Sequence, residues 1–236
     1  MARLFFLIAL VPPALARAAP QLADEVVAVV DNRPILLSQL EVEARLMRAL
    51  DEGGPTLQMP MSNAELKAAL DRLIDRLVVY EQAERLQVFA LSMSEVAAAV
   101  SDLGDRLGPK ELAEFLADFD VDPSMLAGIV RRNLRVERYL AGRFRLASRP
   151  TDVEVRAFYL LHRADFDGST FDQAAGDIRA RLWKEKFRRL ARAFVRDVRA
   201  RARVRILRDL DQPGLDTPLS GTVSASESGA SKNGSR

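Results

Sequence analysis

The chain predicts a mainly α-helical protein with one small β-sheet, and three observations carry that prediction. Five hydroxyl residues stand three places ahead of a Glu or Gln and open helical patterns. Apolar residues recur at three- and four-residue steps through most of the chain. Short β-rich runs lie near its two ends. With 236 residues and 48% apolar content, the chain can bury a substantial core. It has no cysteine, which removes disulfides, thiol catalysis and cysteine–zinc sites together.

The elements follow in order. "MARLFFLIALVPPALARAAP" runs from basic Arg3 through an apolar stretch, Leu4 to Val11, to Ala16-Arg17-Ala18. That order predicts a secretory leader over 1–18, cleaved near Ala18. The apolar stretch is shorter than the ~20 residues of a membrane span. The mature protein is expected to work outside the cytoplasm. "EVVAVVD" reads as a strand, Asn32-Arg33-Pro34 as a turn, and Ile35-Leu36-Leu37 as a second strand, a hairpin over about 25–37. Two short strands are marginal alone, so "RVRIL", 203–207, is expected to join them and bring the two ends into one sheet.

Between these strands the helix starts are explicit. Ser38/Glu41, Ser62/Glu65, Ser92/Glu95, Thr151/Glu154 and Thr170/Gln173 fit the capping box, and Asp122 with Pro123 marks a further start. Leu66, Leu70, Leu73, Leu77 and Tyr80 form one stripe; Val96, Val100, Leu103 and Leu107 form another; Leu112, Phe115, Leu116 and Phe119 a third. A long helix follows from about Pro123 to Phe144, then a linker helix over 151–166, then a closing helix over 171–203. At 1.5 Å per residue the last would be about 50 Å long, so part of it must pack on the rest of the fold. The expected fold therefore covers 19–210, with its first part at 24–147. The Pro-, Gly- and Ser-rich tail, 211–236, is expected to be disordered.

Charge is uneven. Without Arg3 and Arg17 the chain carries 33 basic and 33 acidic residues, so no nucleic-acid partner is expected. Residues 19–130 hold 20 acidic and 9 basic side chains, whereas 131–208 hold 22 basic and 9 acidic. Either the halves attract each other, or the basic part faces an anionic membrane surface.

Motifs for chemistry fail. There is no glycine-rich phosphate loop, nucleophile elbow or His-Glu-x-x-His. "DFDVDPSMLAGI", 118–129, begins like a calcium loop but has Pro123 where glycine is needed and Ile129 in place of the bidentate Glu. "NGS" at 233–235 matches a glycosylation acceptor only by pattern. His162 is the only histidine; it ends a helix with no nucleophile or metal partner nearby in sequence, and is read as a capping or packing residue. No catalytic residue, metal or cofactor is expected.

Taken in order, the segments resemble the SurA-like family of periplasmic chaperones, which has PpiD among its relatives. "DEVVAVVDNRPILLSQLEVEARL", 24–46, is similar to the family's opening hairpin and first helix, and "LKAALDRLIDRLVVYEQAERLQV", 66–88, to its long second helix. "ELAEFLADFDVDPSMLAGIVRRNLRVERYLAGRF", 111–144, resembles the next two helices. "TDVEVRAFYLLHRADF", 151–166, resembles the linker that leads into a parvulin-type prolyl isomerase domain, and "IRARLWKEKFRRLARAFVRDVRARARVRIL", 178–207, the closing helix and strand. Here only "DGST", 167–170, stands where that isomerase domain would be. Four residues span at most ~14 Å, so isomerase activity is not expected.

The resemblance implies ATP-independent binding of unfolded polypeptides, outer-membrane proteins above all, through a tolerant apolar groove. Candidate client-binding residues are Leu57, Met59 and Met61 in the loop "PTLQMPM", with Phe89, Phe115, Phe119, Met125, Tyr139 and Phe158. The alternative is a non-catalytic assembly subunit that docks a specific partner or an anionic membrane through its basic closing helix.

Overall fold

The computed structural model describes residues 24–166 and 168–210. The expected leader, the tail and the Asn-Gly-Ser acceptor lie outside the described residues. Within them the protein is mainly α with one three-stranded antiparallel sheet. Strands β1 (Val26–Val30) and β2 (Arg33–Leu36) form the hairpin. Helices α1 (Leu37–Glu52), α2 (Asn63–Arg85), α3 (Met93–Leu107), α4 (Pro109–Asp118), α5 (Pro123–Phe144), α6 (Asp152–Leu161) and α7 (Phe171–Arg201) follow. Strand β3 (Val204–Ile206) is the last element among the described residues.

The two ends do pair. The strand order is β2-β1-β3, with Ala28 opposite Ile206 and Val30 opposite Val204. Beyond β3, the Leu207 N–H donates to the Val27 carbonyl at 2.9 Å, and Arg208 meets Glu25 at 2.5 Å. The hairpin turn is one residue earlier than expected. Asp31, at φ +54°, and Asn32 make it, and Pro34 sits inside β2 opposite Val29. Proline is tolerated there because β2 is an edge strand.

Ser62, Ser92 and Thr151 form full capping boxes, and the Thr170 N–H donates to Gln173 Oε1 at 2.9 Å. The Asp122 carboxylate caps α5 by accepting from Ser124 N–H at 2.6 Å. Ser38 is the exception. Helix α1 already begins at Leu37, and the Ser38 hydroxyl donates to Asp24 instead. The strand feeds straight into the helix, so the hydroxyl is free to tie down the start of β1.

Three apolar clusters result. The main one sets the sheet against α1, α2, the second half of α5 and the end of α7, with Leu40, Leu73, Ile74 and Val78 at its centre. The second, around Leu57, Phe115, Leu126 and Ile129, joins α1 to α3, α4 and the start of α5. The third is small: Val155 and Tyr159 of α6 against Ala174 and Ile178 of α7. Helix α7 therefore belongs to two clusters. Its last turns are in the main core, while its first turns pair with α6 alone as a helical arm.

Part of the uneven charge is paired between these pieces. Arg132 and Arg76 meet Glu43, Arg135 meets Glu84, Arg138 meets Glu95, and Arg199 reaches Asp71 and Asp75, both at 2.8 Å. All but the Arg76–Glu43 contact join the acidic first half to the basic second half.

Candidate functional site

The arm is built from its caps inward. The Thr151 N–H donates to Glu154 Oε2 at 2.7 Å, which starts α6 with Val155 and Tyr159 facing α7. Gly168, at φ +77°, turns the chain back, and the Tyr159 hydroxyl donates to the Ser169 carbonyl at 2.6 Å. Phe166 and Phe171 close the end of the cluster around the Tyr159 ring, with centroids 5.6 and 5.7 Å away. Two ion pairs tie the first turn of α6 to α7, Asp152–Arg179 at 2.8 Å and Glu154–Lys186 at 2.7 Å. The Lys186 hydrogen bond, with the Thr151 cap, holds the Glu154 carboxyl down to about 2.

His162 caps this assembly. Its Nδ1 lies 3.0 Å from the Phe158 carbonyl, and its ring stacks on Phe158 at 4.0 Å between centroids. The imidazole is thus held by a helix end and an aromatic face, as the lone-histidine reading expects. Among the described residues no group of three or more His, Asp or Glu side chains is arranged to hold a metal.

Helix α6 has a second apolar face. Val153, Leu160 and Leu161 are 79, 64 and 81% exposed and, with Ala157, recur at helical spacing opposite the buried Val155 and Tyr159. On α7, Trp183 lies stacked on Phe187, with centroids 5.3 Å apart and planes 15° from parallel. Trp183 lines an open groove of about 1190 Å³ together with Gly176, Ala180, Arg149, Pro150 and a run of cations. Phe194, two turns beyond Phe187 on the same face, packs in the main cluster and touches Tyr139 and Phe144. One aromatic row thus runs from the core to the exposed arm.

The sequence-predicted client residues do not converge. Leu57, Phe115 and Tyr139 are core residues, 0, 0 and 5% exposed, and present no surface to a ligand. Their helical or loop spacing marks an apolar face, and here that face is covered by neighbouring helices. Phe119 is half-buried under the Arg45 guanidinium, and Met61 half-buried on the main cluster. The loop "PTLQMPM" is not adaptable. Arg45 donates to the Leu57 and Met59 carbonyls, and Arg48 to those of Thr56, Met59 and Pro60. Met59, Phe89 and Met125 are exposed, and Phe158 is half-buried in the arm.

Sequence reasoning missed Val153, Leu160, Leu161 and Trp183. Their signal was present: "DVEVRAFYLL" carries apolar residues on two opposite faces, and a helix with one neighbour buries only one. No protein-family profile matches the chain, and no curated protein matches it either. What the geometry defines, among the described residues, is a helical body closed by the pairing of β1 with β3, with an apolar, cation-rimmed arm.

Proposed function

We propose that the protein is an ATP-independent chaperone of exported polypeptides that holds unfolded chains, outer-membrane proteins among them, on its α6–α7 arm without isomerising them. The observation that carries this reading is the exposed row Val153, Leu160 and Leu161 on α6, with the part-exposed Trp183 on a separate groove of α7. Large apolar side chains grouped in this way on one helix pair mark an interaction surface. The SurA-like order of segments supports the same role, as does the secretory leader expected before residue 19. Reversible capture at micromolar affinity needs about 8 kcal/mol, which a few buried apolar anchors at about 1.5–3 kcal/mol each supply.

The test mixes the exported chain with a urea-unfolded outer-membrane barrel and follows light scattering on dilution. Suppression at a few-fold excess, persisting at high salt, is expected. A Leu160→Ser/Leu161→Ser variant that melts like wild type should suppress much less. Full suppression by that variant would refute the arm as the holding surface. Cations of α7 without an ion pair among the described residues, such as Lys184 and Arg188, favour a second reading, docking to an anionic membrane. It predicts instead binding to acidic vesicles that collapses with salt.

A further inference from the structure

We infer that the groove beside Trp183 captures acidic polypeptide segments that carry a planar apolar side chain, a selectivity that rests on the holding role proposed above. The cation count leads there. Arg132, Arg135 and Arg138 of α5 and Arg199 near the end of α7 are matched by carboxylates of the first half of the chain. Within the groove, Arg179 is matched by Asp152 and Arg181 by Glu185. Arg149, Lys184 and Arg188 also line it, and their side chains make no ion pair among the described residues. Its one lining carboxylate, Glu185, is already engaged by Arg181. An occupant must therefore bring negative charge.

The floor states the rest of the chemistry. Trp183, backed by the stacked Phe187 ring, offers an aromatic face to the groove, and Gly176 and Ala180 on the same helix face leave room beside it. A Cβ added at Gly176 would meet no neighbour within 4 Å. A flat side chain fits over such a platform, with carboxylates two or three residues away reaching the cations. A peptide fits better than a lipid surface because the site is concave. Asp172 and Asp177, exposed on the first turns of the same helix, would also be pressed against an anionic plane.

The experiment uses the full exported chain and three labelled twelve-residue peptides. One has a single Phe among Glu and Asp, one has those acids replaced by Gln and Asn, and one keeps the acids but has Ala for Phe. Binding is read by anisotropy and by the emission of Trp183, the chain's single tryptophan. The acidic Phe peptide should bind at least about tenfold tighter than either control and weaken steeply with salt. Lys184→Glu/Arg188→Glu should remove that preference without changing the melting temperature, and Ala180→Leu should block binding by filling the groove. Equal binding of the acidic and amide peptides, or undiminished binding by the charge-reversed variant, overturns the assignment. Tight binding to phosphatidylglycerol vesicles with none to the peptides overturns it too, in favour of a lipid surface. If acidic peptides bind but unfolded barrels still aggregate, the groove stands and the holding role falls; selective failure of the peptides alone does the reverse.

Discussion

Single residues carry much of the fold's specificity. Glu43 is 1% exposed and sits between Arg132 and Arg76, with Gln39 donating to its Oε1 at 3.0 Å. Removing it leaves charge buried without a partner, so Glu43→Ala should cost about 3–5 kcal/mol, read by urea unfolding. Gly54 lies where the 53–58 turn passes the end of α3; a Cβ there would overlap the Leu107 carbonyl oxygen. Because that neighbour is backbone, Gly54→Ala should cost at least about 1–3 kcal/mol in the same measurement. None of this was visible in the sequence. Leu57 and Met59 looked like a pliable surface because methionine-rich loops often are. What decides the matter is the pair Arg45 and Arg48, which bind the loop's carbonyls from α1, and a pairing over a dozen residues leaves no local pattern.

Helices, by contrast, were legible because their ends are encoded locally. Thr151 and Glu154, or Ser92 and Glu95, meet within one turn, so sequence spacing is spatial spacing. Ser38 failed because its alternative partner, Asp24, lies 14 residues earlier, just ahead of β1. These caps also set an acid response. Arg138 first, with the Ser92 cap, and Lys186 first, with the Thr151 cap, hold Glu95 and Glu154 at about 2, below their ordinary 4.5. With folded values depressed, their contribution is complete above about 4.5 and is lost as pH falls through about 2. Melting temperature should therefore decline across that window, modestly because both groups face solvent. Glu95→Gln/Glu154→Gln, which keeps a capping amide but cannot titrate, should start lower at pH 7 and lose less between 4.5 and 2. The arm itself rests on few groups, so Tyr159→Phe, which drops the bond to the Ser169 carbonyl, should cost about 1 kcal/mol and speed amide exchange in α6.

For the whole molecule, the closure of the chain ends was readable because β-rich runs occurred where a sheet lacked a partner. The client surface was not. Periodicity shows that a helix has an apolar face, but only the assembled fold shows which faces find a neighbour; Phe115 found one and Leu161 did not. A chain ended at Ala202 would leave β1 an open edge and take Leu210 from the main cluster. A loss on the order of 4 kcal/mol is expected from one buried leucine and a few backbone hydrogen bonds. The most direct measurement of the arm's role places a photo-crosslinking amino acid at Leu161, at Trp183 and, as a control, at Leu50 on the body. Each protein is then irradiated with an unfolded outer-membrane barrel. Adducts at 161 and 183 with little at 50 are predicted; equal labelling at all three, or labelling at 50 alone, would contradict capture by the arm.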